Sequence, residues 1–275
     1  MKETAGKYAT DVITSCAFGI ESNCLLNPNS EFREFGRQIV DFTVYRCFEF
    51  MSFFMLPFAV KHMDVTFFSR KTTAFLRKAF WETMSEREEK KIVRNDFMDL
   101  LLQLKNEGRI AIDKNDDEMK VIDNDDEIFD ENEVFETLRK YPPLPVLDRT
   151  PNIDYTIPGT DVILEKNTPV YISLMGLHND PEVYPDPDDY DPERFNVDNK
   201  RARHPFMYLP FGEGPKYCIG KQFGLMASKV GLVSILSQFE VSPCEGTPET
   251  LTLNPRAFII AAKGGIPLKF TPLKK

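Results

Sequence analysis

One cysteine of this sequence lies in a glycine-rich loop directly before an apolar stretch with helical spacing, in the segment FGEGPKYCIG at residues 211–220. Gly212 and Gly214 permit backbone conformations closed to other residues, so amides can turn toward the sulfur of Cys218. A helix that begins after the loop favours negative charge at its N-terminus, and therefore a thiolate. Gly220 would let a flat ligand approach the first helical turn, and Phe211 could shield the sulfur from water. The segment suits a thiolate that ligates a metal in a planar cofactor.

The alternative chemistry for Cys218 is that of a hydrolase nucleophile, which needs a histidine and an Asn or Asp beside it. His178 and His204 could serve, but neither stands in a recognisable catalytic setting. The three histidines are also too scattered to suggest a zinc site. The five cysteines form no C-x-x-C pair, and the charged N-terminus does not look like a secretion signal, so free thiols in a reducing compartment are expected.

Two charged motifs accompany the cysteine loop. Glu136 and Arg139 have the i, i+3 spacing that puts both charges on one face of a helix. The tetrapeptide PERF at residues 192–195 places Arg194 in a turn-rich region. Each motif alone is weak, because E-x-x-R pairs occur on many helix surfaces.

Together, in this order, the three motifs resemble the signatures of the cytochrome P450 family: E-x-x-R, P-E-R-F and F-x-x-G-x-[RK]-x-C-x-G. Five segments are similar in sequence to insect microsomal detoxification members: YPPLPVLDR, DYTIPGTD, LHNDPEVYPDPDDYDPERF, HPFMYLPFGEGP and RNDFMDLLLQLKNEG. The resemblance covers nearly the whole chain. It implies a mainly α fold with small β-sheets, a P450 haem domain whose centre is missing.

The resemblance implies roles for particular residues. Cys218 would be the proximal ligand of the haem iron, in a cofactor-binding loop whose other members are Phe211, Gly212, Gly214, Lys216 and Gly220. Lys216 stands where the family most often has an Arg that contacts a haem propionate, so haem retention would be weaker. A second set of residues would form a buried, structural ion triad: Glu136, Arg139 and Arg194.

The same resemblance implies a reaction and a location. The reaction would be monooxygenation of lipophilic small molecules, xenobiotic or endogenous, with electrons from NADPH through cytochrome P450 reductase. Lys216, Lys221 and Lys229 could face an acidic patch of that reductase. The Phe-rich segment at residues 47–60 resembles a substrate-entrance lid that touches the membrane, although its composition also fits a buried helix. The expected location is the cytosolic face of the endoplasmic reticulum.

The sequence departs from the family pattern in several places. It shows no N-terminal membrane anchor, and Trp81 does not match the family's propionate-binding Trp. The helix that carries A-G-x-x-T over the distal face of haem would have to lie between Glu133 and Glu136, where there is no room for it. The distal oxygen-activating residues therefore cannot be assigned. The alternative function is a catalytically inactive, truncated haem-binding or interaction protein.

The elements that position these residues can be outlined from composition and periodicity. The chain is 42% hydrophobic with a net charge of −9, and 11 acidic residues against two lysines between Asp113 and Glu133 account for that charge, which disfavours nucleic-acid binding. We expect one incomplete domain over residues 1–275, made of substrate-side helices at 1–112, an acidic loop at 113–133 and a haem-side core at 136–275.

Periodicity and proline usage divide the chain further. Helical spacing recurs in three groups of residues, which are Ala5, Tyr8, Val12, Ile13 and Cys16; Phe97, Leu100, Leu101 and Leu104; and Phe223, Met226, Val230 and Val233. Asn95 is the expected N-cap of the second helix and Gly108 its stop. Thirteen of the 20 prolines lie between Pro142 and Pro215, which excludes long helices there. The C-terminal FIIAAKGGIPLKF predicts a hairpin that turns at residues 263–265.

Overall fold

The computed structural model of the chain describes residues 2–27, 29–40, 44–56, 60, 62, 65, 66, 68–107, 130–255, 257 and 259–273. The chain divides into two compact units, Met1–Asp126 and Glu127–Lys275. The division falls inside the acidic segment at residues 113–133, most of which lies outside the described residues.

The described part of the first unit is helical. Its helices are α1 (Lys2–Ile13), which continues as one π-helical turn (Thr14–Phe18), α2 (Glu31–Val40), α3 (Val44–Met55), α4 (Arg70–Lys90) and α5 (Phe97–Glu107). The first and last of these agree with the spacing of the apolar residues in the sequence. A glycine in the left-handed region, Gly19 (φ +64°), ends the π turn, as expected for a residue without a Cβ.

A buried ion cluster joins the C-terminal part of α4 to α5. Arg87 is 3% exposed and donates to Asp96 and Asp99 with N–O distances of 2.6 Å. Gly19 packs directly on this cluster, since a Cβ at that position would lie 1.8 Å from Nη2 of Arg87. Arg94 completes the contact by donating to the Gly19 carbonyl at 2.8 Å. Glycine is therefore required here by both backbone conformation and space.

The prediction that Asn95 caps α5 was wrong. Asn95 adopts a left-handed conformation (φ +57°), and the cap is Asp96, whose Oδ1 accepts from the amides of Met98 and Asp99 at 3.1 and 3.3 Å. The Asp99 carboxylate reaches back to the amide of Asn95 at 2.6 Å. Asp96 can cap the helix because Arg87 holds its carboxylate at the first turn. Gly108 lies outside the described residues.

Among the side chains of α3 that the structure describes, in the Phe-rich segment, the buried ones are polar. Tyr45, Phe48 and Met51 are 66%, 57% and 48% exposed, whereas Glu49 and Ser52 are buried. The inward carboxylate of Glu49 is paired with Arg46, which also donates to the Thr66 carbonyl at 3.0 Å. Two polar side chains of this helix are therefore buried, whereas Tyr45, Phe48 and Met51 are exposed. Residues 57–59 of the segment lie outside the described residues.

The second unit combines short helices with three two-stranded antiparallel sheets. Its elements are α6 (Glu131–Lys140), β1 (Val146–Arg149), β2 (Tyr155–Thr156), β3 (Ile163–Leu164), β4 (Val170–Ser173), α7 (Leu174–His178), a 3₁₀ turn (Pro192–Phe195), α8 (Val197–Ala202), two further 3₁₀ turns (Pro205–Met207 and Gly214–Lys216), α9 (Lys221–Leu236), β5 (Phe239–Pro243) and β6 (Leu268–Pro272). Strand β1 pairs with β4, β2 with β3, and β5 with β6. The expectation of a mainly α fold with small sheets is thus confirmed, and the longest helix between residues 142 and 215 has six residues.

Two local expectations in this unit need correction. The acidic loop does not run to Glu133, because Glu131 begins α6 and the side chain of Asp130 caps it by accepting from the Asn132 amide at 2.8 Å. Acidic residues are favourable in a first turn, where backbone amides are unpaired.

The predicted C-terminal hairpin is also wrong. The chain does turn beside Gly264 and Gly265, both with positive φ, but β6 after the turn pairs with β5.

Candidate functional site

The loop that carries Cys218 is held by its own backbone. Gly212 and Gly214 have φ of +69° and +79°, which only glycine adopts at low cost. The Cys218 amide donates to the Phe211 carbonyl at 2.8 Å and thereby closes the loop. The thiol of Cys218 is exposed at the point where α9 is about to begin. The structure therefore presents a single sulfur outward from a preformed loop.

The surroundings of the thiol are apolar and open. Tyr217 and Ile219, on either side of the cysteine, are 60% and 96% exposed. A Cβ added at Gly220 would meet only the sulfur of Cys218 at 4.0 Å, and one added at Gly224 would meet nothing within 4 Å. The first turn of α9 can thus be approached closely by a flat, apolar group. These residues fit a planar cofactor with a metal at its centre.

A cation that the sequence did not single out lies beside this loop. Arg149, at the end of β1, donates through Nη2 to the Glu213 carbonyl at 3.3 Å. The same nitrogen lies 3.3 Å from the position that a Cβ on Gly212 would occupy. Lys216 supplies a second, exposed cation on the loop itself. No local spacing could have identified Arg149, because 63 residues of chain separate it from Gly212.

The structure brings the three charged motif residues together. Glu136 and Arg139 are both 0% exposed, with Nε and Nη2 of Arg139 at 2.8 and 2.6 Å from the two carboxylate oxygens. Arg194 is coupled to this pair more loosely, with its Nε 3.9 Å from Oε1 of Glu136. That Nε is buried and makes no hydrogen bond among the described residues. Glu136 and Arg139 form a bidentate pair, and Arg194 adds positive charge at longer range.

Arg139 also binds backbone. Its Nη1 donates to the His178 carbonyl at 2.8 Å, and its Nη2 donates to the carbonyls of Pro187 and Asp189 at 2.8 and 3.2 Å. In return, Glu136 accepts from the Asp191 amide at 3.2 Å. The pair therefore organises the proline-rich stretch around residues 187–191, which has few hydrogen bonds of its own.

His178 connects the ion pair to the cysteine loop. Its ring is fully buried, stacks on Tyr208 and accepts from the Leu209 amide through Nε2 at 3.0 Å. The Leu209 carbonyl then accepts from the Gly212 amide at 3.0 Å. Burial lowers the pKa of His178 to about 4, so the imidazole is neutral at physiological pH. Sequence reasoning considered His178 only as a partner for a nucleophile.

The hydrolase alternative gains no support from this geometry. Within the part of the chain that the structure describes, neither His178 nor His204 is hydrogen-bonded to Cys218. His178 is occupied by the Leu209 amide, and Nδ1 of His204 accepts from the Phe206 amide at 3.3 Å. A nucleophile without a base beside it remains a weak one at neutral pH.

Comparison with known proteins agrees with the resemblance seen in the motifs. The cytochrome P450 family model matches residues 1–126 and 131–268. Cytochrome P450 6k1 of Blattella germanica is 46% identical over 342 residues, with 98% of this chain and 65% of the relative covered. Cytochrome P450 6l1 of the same species is 34% identical over 99% of this chain and 64% of the relative, and probable cytochrome P450 6a13 of Drosophila melanogaster is 32% identical over 100% and 66%. The chain spans about two thirds of the length of these curated relatives.

The alignment to cytochrome P450 6k1 contains positions that this chain lacks. The alignment to the first of these relatives runs over 342 residues and this chain has 275, so at least 67 positions of that relative have no counterpart here. The family match is interrupted between residues 126 and 131. This interruption lies close to the place where the sequence suggested that the distal helix is missing.

Proposed function

The chain belongs to the cytochrome P450 family, and we propose that it is the haem-binding portion of a monooxygenase that acts on lipophilic small molecules. The observation that carries the proposal is the exposed thiol of Cys218 in its preformed loop, with an open, apolar approach beside it. P450s are a haem-thiolate family, and haem with a thiolate ligand supplies the activation of dioxygen.

The residues of this chain would hold and shield the cofactor. Cys218 would ligate the iron, and its loop would be kept in place by the bond from its amide to Phe211. Phe211 and Ile219 would limit the access of water to the sulfur, since the hydrophobic shell around a metal site controls solvent access and the local dielectric. Lys216 and Arg149 would face the carboxylates of the porphyrin, which their charge and position beside the loop suit.

Apolar side chains near the loop support a lipophilic substrate. The Ile260 amide donates to the Pro143 carbonyl at 3.2 Å and so joins two segments that are distant in the chain. Around this contact, Leu144, Val146 and Ile259 are 38%, 44% and 44% exposed. Strand β1 continues from Val146 to Arg149, which touches the cysteine loop. Exposed apolar side chains of this kind would bind hydrocarbon surface by excluding water from it.

We propose that an acidic reductase is the electron donor. The three candidate docking lysines differ in the contacts that they already make. Lys229 is ion-paired with Glu131, so its charge is already compensated. Lys216 is exposed, and the Nζ of Lys221 lies 5.7 Å from the centre of the Phe211 ring. Since Lys216 is assigned to the porphyrin carboxylates, we expect Lys221 to contribute more than Lys229 to binding an acidic surface.

Contact with a membrane is supported by three exposed apolar side chains of α3, Tyr45, Phe48 and Met51. Such side chains lower their free energy by entering the headgroup region of a bilayer. Among the described residues, no helix is long and apolar enough to cross a membrane. The proposed location is the cytosolic face of the endoplasmic reticulum, as the resemblance to insect microsomal members of the family implies.

Reconstitution with haem tests the central assignment. The ferrous, CO-bound form of the full chain should show the red-shifted Soret band of thiolate ligation, and Cys218→Ser should lose it. Cys16→Ser is the matched control, because Cys16 is also an exposed free cysteine. An unshifted band in the unaltered chain, or the same spectrum in Cys218→Ser, would contradict the assignment.

A second candidate function is haem binding or protein interaction without monooxygenase activity. The interruption between residues 126 and 131 favours it, because the oxygen-activating residues of the family cannot be assigned in this chain. Turnover of a lipophilic substrate with NADPH and reductase separates the two candidates. A thiolate spectrum without turnover would support the second, and turnover would exclude it.

A further inference from the structure

The second unit contains a cavity of about 520 Å³ that is lined by residues between 182 and 207, outside the cysteine loop. Small organic molecules typically occupy pockets of about 300–1,000 Å³. The apolar part of the lining consists of Val183, Pro185, Ala202 and Met207, and the cationic part consists of Arg194 and Arg203. This cavity, here called the Arg203 cavity, therefore has the size and the mixed lining of a site for a small organic molecule.

The guanidinium of Arg203 is fixed in place while most of its donors stay available. Its central carbon lies 4.8 Å from the centre of the Tyr184 ring and 4.7 Å from the centre of the Phe195 ring. Its Nη2 donates to the Arg194 carbonyl at 2.5 Å. Among the described residues, Arg203 makes no other hydrogen bond and no ion pair. Contact with two ring faces thus holds a planar group whose N–H edge can bind a ligand.

Arg194 brings a second guanidinium to the same cavity. Its Nη2 donates to the Asp186 carbonyl at 3.0 Å, and its buried Nε makes no hydrogen bond within the described part of the chain. The carboxylate oxygens of Glu136 and Asp191 lie 3.9 Å from that Nε, which is too far for a hydrogen bond. Neither guanidinium of the Arg203 cavity is therefore hydrogen-bonded to a carboxylate, and a buried donor without a partner favours a ligand that supplies an acceptor.

Two carboxylates also line the Arg203 cavity, those of Glu182 and Asp191. Asp191 is already engaged, since its Oδ1 accepts from the Glu193 amide at 3.0 Å. Glu182 is exposed, so water and salt screen its charge. Among the residues that the structure describes, no three His, Cys, Asp or Glu side chains are grouped to hold a metal ion. The two guanidiniums, and not the carboxylates, therefore decide the sign of the charge that the cavity prefers.

We propose that the Arg203 cavity binds a small organic anion, with its carboxylate or phosphate group on Arg203 and Arg194. Guanidinium groups bind both kinds of oxyanion through two parallel N–H donors. His204 lines the same cavity and offers a further donor, while Val183 and Met207 would contact the apolar body of the ligand. The proposal does not depend on haem binding or on monooxygenase activity.

Calorimetric titration of the full chain at constant ionic strength tests the charge of the ligand. The probes are phenyl phosphate, benzoate and the neutral benzyl alcohol, which share an aromatic body. At least one of the two anions should bind saturably and at least about tenfold more tightly than benzyl alcohol, since a charged hydrogen bond contributes that much. The tighter of the two identifies the preferred oxyanion. Binding of the neutral probe as tight as that of the anions, or no saturable binding of either anion, would overturn the proposal.

A matched pair of substitutions locates the binding. Arg203→Met should weaken binding of the preferred anion by at least about tenfold, because it removes the charged donors. Arg201→Met is the control, since Arg201 is exposed two residues earlier and does not line the cavity. This control should leave the affinity unchanged. Equal affinities in the two variants would contradict the assignment of the site.

Glu182→Gln provides an independent test of sign. Because Glu182 is exposed and its side chain makes no hydrogen bond among the described residues, the variant should fold even if Arg203→Met does not. Removal of its negative charge should tighten binding of the anion about threefold, as expected for one screened charge. A weaker or unchanged affinity would show that the anion does not bind beside Glu182 and would overturn the proposal.

Discussion

Replacing Arg139 by Met tests how much its buried guanidinium contributes to the stability of the second unit. The change keeps an unbranched side chain but removes the guanidinium, leaving Glu136 buried at 0% exposure with only Arg194, whose Nε lies at 3.9 Å, as a nearby cation. Breaking a buried ion pair by removing one partner costs about 3–5 kcal/mol. The carbonyls of His178, Pro187 and Asp189 lose their donor as well. The expected loss of at least about 4 kcal/mol is a large part of the 5–15 kcal/mol that typically stabilises a domain.

A double-mutant cycle separates the ion pair from the backbone contacts. Replacing both Glu136 and Arg139 with apolar residues removes the unpaired charge, so a simple buried pair would regain nearly all the lost stability. Here we expect only partial recovery, with about 2 kcal/mol still missing, because the three carbonyls remain without a donor. Arg139→Lys should lie between these variants, since it keeps the charge and loses the two-pronged geometry.

Urea unfolding followed by hydrogen exchange gives the free energy of each unit. The only tryptophan, Trp81, lies on α4 of the first unit, so its fluorescence provides an internal control for effects on the second unit. The exchange protection of α6 and α7 should drop in Arg139→Met. Full recovery of stability in the double variant, or a loss below about 1 kcal/mol in Arg139→Met, would refute the reasoning.

Three further predictions follow from single contacts. Gly19→Ala should destabilise the first unit by about 3 kcal/mol or more in thermal unfolding, because its Cβ would lie 1.8 Å from the buried Arg87 guanidinium. Gly159→Ala is the control, since Gly159 also has a positive φ (+76°) but open space around it. This control should cost only the backbone strain of about 1–2 kcal/mol. The unfolding free energy of the second unit should fall as pH drops below 6.5 toward about 4, because the unfolded chain takes up a proton that folded His178 excludes. In urea unfolding at several pH values, His178→Gln should weaken this dependence of the unfolding free energy on pH. An unchanged dependence would contradict the prediction. Lys216→Arg should hold haem more tightly in transfer to apomyoglobin, since Arg offers two parallel donors to a carboxylate; no gain would count against contact with the porphyrin carboxylates.

Local patterns were sufficient for part of this fold. The spacing of Tyr8 and Val12 identified α1, and the spacing of Phe97, Leu100 and Leu104 identified α5. Both were accessible because a helical period of 3.6 residues can be recognised within a short stretch of sequence. Proline density correctly excluded long helices from residues 142–215. The spacing of Glu136 and Arg139 placed them on one face of a helix, whereas their burial as an ion pair was what the family resemblance implied.

Contacts between distant residues were not accessible in the same way. Arg149 reaches Glu213, 64 residues away, and nothing near either residue indicates the contact. Strand β6 pairs with β5 across 25 or more residues, so the nearby turn at Gly264 and Gly265 suggested the wrong hairpin. The cap of α5 was also misplaced, because Asn95 and Asp96 have equal capping propensity and only the position of Arg87 decides between them.

A series of hydrogen bonds connects the buried charges to the loop of the exposed thiol, although the sequence separates them by about 80 residues. Arg139 holds the backbone of His178, and the ring of His178 accepts from the Leu209 amide. From Leu209 the hydrogen bonds continue to Gly212 at the start of the loop, and the loop closes on the Cys218 amide. Because every bond in this series orients the next one, loss of the guanidinium should increase hydrogen exchange at residues 209–218 before it unfolds the helices. Damage confined to α6, with an unchanged loop, would show that the ion pair and the cysteine site are independent.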